Sequence, residues 1–191
     1  MNTLRHWVST EHLKQLKVKM NKIYYTWQQV EGACLELARQ IRASGWEPDY
    51  IVGIGRGGLI PANLLSQYMG IKMSSLDISL RDGGDTVSNC GMAEDAFGYN
   101  AASVGDPCCK NILIVDDIND QGSTIAWIKQ DWQSTCLPND ARWEHVWGQN
   151  VRFATLTNNL SSKEDVDYSV WEVNKAEKDC WLVYPWEEFW L

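Results

Sequence analysis

The sequence predicts a single α/β domain: a twisted, mainly parallel sheet with helices on both faces and a site at the carboxyl ends of its strands. The run Ile112-Leu113-Ile114-Val115 has the composition of a strand buried on both sides of such a sheet. Segments with helical spacing of apolar residues alternate with runs of this kind along the chain. Asp49 to Ile54 passes through the turn Gly55-Arg56-Gly57-Gly58 into a helical segment, Leu59 to Met69, closed by Gly70. That is strand, glycine loop, helix.

Composition sets the bounds. At 191 residues and 45% hydrophobic content, the chain is long enough for one well-buried domain with a small appendage. A net charge of -8 argues against a nucleic-acid surface, which needs clustered Lys and Arg, but allows a local anion site made of backbone amides. No apolar run reaches the length of a membrane span, and Met1 to His6 lack the apolar core of a signal peptide, so a cytoplasmic protein is expected. Six cysteines without CxxC spacing and three scattered histidines read as free thiols and ordinary histidines rather than a zinc site. The eleven tryptophans read mostly as core or interface filler, and with so many aromatics a homodimer is expected.

In chain order, residues 1–21 form an N-terminal extension whose stretch Glu11 to Val18 is mildly amphipathic, and residues 22–191 form the domain. Ile23-Tyr24-Tyr25 reads as an edge strand. Thr26 caps a helix with Gln29 closing a capping box, and Trp27, Val30, Cys34, Leu37 and Ile41 make its core face before Gly45 ends it. Ile71 to Leu80 reads as the next strand. Arg81 to Pro107 is rich in Gly, Asp, Ser and Asn with little periodicity, and a loop of that length inside a domain is usually functional or mobile. Ile125, Ile128, Trp132 and Cys136 mark a helix, while Val151 to Thr157 and Tyr168 to Val173 read as strands. The tail Cys180 to Glu187 is aromatic and acidic.

The most informative stretch is Asn111 to Thr124. Its strand ends in Asp116, Asp117 and Asp120, and Gly122-Ser123-Thr124 then opens a helix. Free amides at a helix start suit a phosphate, and the carboxylates suit sugar hydroxyls, a hard divalent cation or a developing positive charge. A second pattern competes: Gly53, Gly55 and Gly58 satisfy GxGxxG, with Asp77 about where a dinucleotide-binding fold places its ribose acid. That reading ranks second, because it leaves Asp116 to Thr124 unexplained and sets Arg56 at the tightest point of the turn.

The Asp116 to Thr124 segment resembles the motif of the type I phosphoribosyltransferases that binds 5-phosphoribosyl 1-diphosphate (PRPP). The resemblance implies that Asp116 and Asp117 sit by the ribose hydroxyls and the Mg2+ of PRPP. It places Asp120 near the reacting nitrogen of a nucleobase, and Gln121, Gly122, Ser123 and Thr124 around the 5'-phosphate. The strand, Arg-Gly-Gly, apolar residue and Pro61 resemble the purine-enzyme loop that grips pyrophosphate, which puts Arg56 and Gly57 on the leaving group. Residues 82–107 would be a mobile loop closing over the site. Trp181, followed by Pro185-Trp186-Glu187, is similar to the C-terminal hood of bacterial xanthine-guanine phosphoribosyltransferases, here residues 158–191. There Trp181 would stack on the base, the Leu182 backbone would read the ring edge, and Glu187 would join Asp117 near the metal.

Three positions depart from the pattern. Asn119 replaces an apolar residue and Gln121 a threonine, while Asn159 stands where relatives carry a lysine that bonds the 6-oxo group of the purine. Asn159 is therefore expected to line the base pocket, with Lys163 a few residues on as a substitute cation. An amide both donates and accepts, so a 6-oxo group, a 6-amino group or another base remains open. The implied activity is Mg2+-dependent transfer of 5-phosphoribose from PRPP to a purine-like base. A non-catalytic PRPP or nucleotide sensor of the same fold is the alternative from another class.

Overall fold

The computed structural model describes residues 21–78, 90–98 and 109–187. The predicted amphipathic stretch of the N-terminal extension lies outside them, as do the last two residues of the strand predicted over Ile71 to Leu80 and residues 81–89 and 99–107 of the predicted loop. The elements are β1 (Asn21–Tyr24), α1 (Trp27–Ala43), β2 (Tyr50–Gly55), α2 (Leu59–Met69), β3 (Lys72–Asp77) and α3 (Cys90–Phe97). They continue as β4 (Ile112–Asn119), α4 (Ser123–Thr135), a 3-10 turn (Ala141–His145), β5 (Val151–Asn159), β6 (Tyr168–Val173) and β7 (Cys180–Val183).

Five strands form one sheet in the order β3-β2-β4-β5-β6, and every pairing is parallel. The period-2 alternation of strand side chains builds two cores from this sheet. Ile51, Leu113, Val115, Ala154 and Leu156 face α1 and α2, where Val30, Cys34, Leu37, Ile41, Ala62 and Leu65 pack on them. Val52, Ile54, Ile112, Ile114 and Phe153 face α3 and α4, against Ala93, Phe97, Ile125, Ile128 and Trp132. Each apolar side chain buried in this way contributes about 1.5 to 3 kcal/mol. The central strand β4 therefore holds its polar carboxyl end in a fixed place. No helix among the described residues is long and apolar enough to cross a membrane.

Helix α1 forms as its sequence predicts, with the reciprocal Thr26/Gln29 capping box and Gly45 at a φ of 72° just beyond its end. Trp27, expected on the core face, is instead 52% exposed. It is the first residue of the helix, beyond the edge of the core, and its ring lies 6.0 Å from that of Trp186. Helix α3 interrupts the stretch read as loop. Its buried face, Ala93, Ala96 and Phe97, is mostly small residues that give a weak periodic signal.

The two ends of the domain meet outside the main sheet. β1 pairs with β7 in a separate two-stranded parallel sheet, with Lys22 opposite Trp181 and Ile23 opposite Leu182. β6, within the span expected to form the hood, is instead the edge strand of the main sheet, beside β5. Tyr25 joins the small sheet to the core by stacking on Trp171 at 4.3 Å and on Tyr184 at 5.2 Å.

Candidate active site

Counted within the main sheet, the strand order runs 2-1-3-4-5, so the chain leaves β2 toward one edge and β4 toward the other. A crevice opens at such a switch point, outside the carboxyl ends of the two strands. The turn Gly55 to Gly58 and the acids of β4 both sit there. A Cβ on Gly57 would overlap the carboxylate of Asp117, and one on Gly58 would overlap the Val115 carbonyl and stand 2.8 Å from the Asp116 Cα. Only glycine lets the turn approach the acids this closely. Gly53 answers a different need, since its Cβ would fall 2.8 Å from that of Ala62 where α2 crosses β2. Packing thus explains two glycines of the GxGxxG pattern, and the sheet lacks the 3-2-1-4-5-6 strand order of the dinucleotide fold. The dinucleotide reading is overturned.

Arg56 is exposed at the tip of this turn, and the peptide joining it to Gly55 is cis. Across the crevice, the Asp116 carboxylate accepts a hydrogen bond from the Asp117 amide at 2.9 Å. Gly122, at a φ of 80°, precedes α4, whose N-terminus has no side-chain cap and no acidic residue in its first turn. Ser123 is exposed and Thr124 half-buried at that terminus. Unoccupied first-turn amides with flanking hydroxyls are what an anion needs. The turn is braced from behind, because a Cβ on Gly122 would meet the Glu164 amide at 2.8 Å and the Ser162 hydroxyl at 2.9 Å. Glu164 is itself clamped to α4 by Lys129 at 2.5 Å.

Two of the departures from the family pattern prove structural. Asn119 is buried at 3% exposure, donates to the Asn158 side chain at 2.9 Å and the Glu164 carbonyl at 2.7 Å, and accepts from the Ser162 hydroxyl at 2.9 Å. Asn159 is buried at 4% exposure, and its amide donates to the Asp120 carbonyl at 2.8 Å and, longer, to the Asp120 carboxylate at 3.5 Å. Its oxygen accepts from the Ser161 hydroxyl at 2.9 Å and the Lys175 backbone amide at 3.0 Å. With its amide engaged on both ends inside the protein, Asn159 does not offer a base the contact expected of it. Lys163 is exposed, and its backbone amide reaches the Gln121 carbonyl at 3.5 Å. The cation that meets Asp120 is Lys175, whose Nζ lies 3.0 Å from Oδ1. Sequence reading missed it, since it belongs to the connection after β6.

In the small sheet Trp181 is 42% exposed and Leu182 is buried. Tyr184 anchors this sheet: its hydroxyl donates to the Asp117 carbonyl at 2.9 Å and pairs with the Thr157 hydroxyl at 2.8 Å. Burial, then the charge of Asp117, pushes its phenol well above the usual value, so it remains a donor. The Glu187 carboxylate accepts from the amide of Tyr184 at 3.3 Å, turned into its own loop. No group of three or more His, Cys, Asp or Glu that could hold a metal occurs among the described residues. Two carboxylates at one strand end fit magnesium all the same, because that ion takes one or two protein carboxylates and completes its shell with substrate oxygens and water.

The parallel sheet thus sets a glycine turn pressed on strand-end acids beside an uncapped helix N-terminus, an arrangement suited to phosphate and hydroxyl groups. The chain belongs to the phosphoribosyl transferase domain family, which it matches over residues 20–188. Among its relatives, the hypoxanthine-guanine phosphoribosyltransferase of Schizosaccharomyces pombe is 25% identical over 186 residues, covering 87% of this chain and 89% of the relative. The xanthine-guanine phosphoribosyltransferase of Idiomarina loihiensis is 26% identical over 174 residues, covering 87% of each. The crystal structure of a purine phosphoribosyltransferase from Pyrococcus horikoshii is 30% identical with a TM-score of 0.61, covering 90% of this chain and 97% of the other.

Proposed function

We propose that this chain transfers the 5-phosphoribosyl group of PRPP to a purine base. The contact between Gly57 and the Asp117 carboxylate carries the reading, because it brings a pyrophosphate-type turn and ribose-type acids into one crevice. In the reaction the C1–O bond breaks and pyrophosphate leaves with the electron pair. A nitrogen lone pair of the base forms the new C1–N bond, and the proton that the imidazole ring of the base then sheds passes to Asp120 or to solvent.

Each residue then has a role. The Arg56 guanidinium and the Gly57 amide hold the pyrophosphate oxygens. Gln121, Gly122, Ser123 and Thr124 hold the 5'-phosphate, largely through backbone amides at the start of α4. Asp116 and Asp117 bind the ribose hydroxyls and stabilise the positive charge that grows at C1 only in the transition state. Trp181 supplies the stacking face for the base, beside the Leu182 backbone. Asp117 would hold magnesium, and the ion would supply further neutralisation of the leaving pyrophosphate.

The test is calorimetric titration of PRPP with magnesium into the protein and into the double variant Asp116→Asn/Asp117→Asn. The wild type binds, and the variant melts normally but binds far more weakly. Equal affinity in a folded double variant removes these acids from the site.

A further inference from the structure

We infer that Lys175 is the residue that reads the base, and that it selects purines bearing a 6-oxo group. The inference rests on the transferase reading and adds to it the class of base. Lys175 arrives from the connection between β6 and β7, and its side chain is only 16% exposed, against 31% for its partner Asp120. An ammonium largely removed from water needs compensation, and one carboxylate oxygen leaves the rest of its three donors to be satisfied.

Its position is imposed by the protein. Asn159 bridges the two residues, accepting from the Lys175 amide at 3.0 Å while donating to the Asp120 carbonyl at 2.8 Å. The turn beyond it is closed by the Asn174 carbonyl, which accepts from the amides of Glu177 at 3.2 Å and Lys178 at 3.0 Å. The Asn174 side chain donates to Glu177 at 2.8 Å. On the other side Asn119 ties the acid loop to Asn158, Ser162 and Glu164. Asn119 and Asn159 together hold Asp120 and Lys175 in register.

A carboxylate and an ammonium 3.0 Å apart present an acceptor beside a donor. The complementary edge is a donor beside an acceptor. A 6-oxopurine has one, N7–H next to the 6-oxo oxygen, so N7–H meets Asp120 and the oxygen meets Lys175. A 6-aminopurine turns N–H donors toward the ammonium and is repelled. Lys175 therefore replaces in space the lysine absent from position 159, and the broad base choice drawn from Asn159 gives way to a preference for hypoxanthine, guanine or xanthine over adenine.

The experiment measures pyrophosphate release from PRPP with hypoxanthine, guanine, xanthine and adenine for the wild type, Lys175→Met and Lys175→Arg, with PRPP affinity measured separately by calorimetry. The wild type prefers the 6-oxopurines. Lys175→Met raises their KM roughly tenfold to a hundredfold, as loss of a charged hydrogen bond does, with adenine and PRPP little affected. Lys175→Arg keeps the charge and restores the order of bases. Lys175→Met activity unchanged with every base, reduced equally with every base, or reduced through PRPP affinity overturns the assignment. If Lys175→Met does not fold, Lys175→Arg decides: an arginine variant that folds but has lost the order of bases also overturns it. A wild type that binds PRPP but releases no pyrophosphate with any base refutes the transferase reading itself, a result visible before any variant is made.

Discussion

The crevice between β2 and β4 and the ends of β5 and β6 are built on different principles. At the first, the fit is made by backbone: Gly57 and Gly58 press on Asp117, Val115 and Asp116, and α4 offers amides at its start. At the second, side chains do the holding, with Asn119, Asn159 and Lys175 knitted around Asp120. A phosphate looks the same in every substrate, so a fixed backbone cradle serves it. A base varies, and exchangeable side chains can supply the same cation from another loop.

The sharpest break of this contrast is Gly57→Val. The added carbons collide with the Asp117 carboxylate and push it from its place, so PRPP binding is lost while stability changes little. Calorimetry and a denaturant melt read the two effects. Wild-type PRPP affinity in this variant would mean that the turn does not face the substrate. Next in size, Arg56→Ala raises the KM for PRPP roughly tenfold to a hundredfold and leaves that for the base unchanged, because the role proposed for its guanidinium is on pyrophosphate alone. A change confined to the base would place the turn wrongly.

On the other side, Asn119→Leu leaves buried partners on Asn158, Ser162 and Glu164 unsatisfied and lowers stability by about 1 to 3 kcal/mol, seen as a denaturant midpoint shift at constant slope. A neutral result would show that these asparagines do not hold the loop.

The smallest effect is that of Tyr184→Phe, about 1 kcal/mol for the bond to the Asp117 carbonyl. It also has a pH signature. The pKa of the Tyr184 phenol is raised in the fold, while a tyrosine of the unfolded chain ionises at about pH 10. Its share of stability is full below that pH and is lost as pH rises from there toward the folded value. In Tyr184→Phe this part of the alkaline loss disappears. An unchanged alkaline profile would assign the loss to other groups.

The contrast also explains what the sequence made legible. β4 and the turn after β2 were readable because each is local: in one an apolar run leads directly into three acids, and in the other a strand leads directly into a pair of glycines. The Thr26/Gln29 box was readable for the same reason. Helix α3 was hidden by a core face of mostly alanines, and the pairing of the edge strand β1 by a partner strand at the opposite end of the chain. Asn159 misled because its position in the strand was right while its neighbours were unknown. Only the β5 to β6 crossover sets the Lys175 backbone against it. A lysine supplied from a separate turn carries no signal in spacing.

The most direct test of the whole account is formation of nucleoside 5'-monophosphate and pyrophosphate by the unmodified protein with PRPP, magnesium and a panel of purines. The account predicts equimolar products that require both PRPP and a base, formed faster with hypoxanthine, guanine or xanthine than with adenine. Binding of PRPP with no product from any base, or adenine as the best substrate, would contradict it.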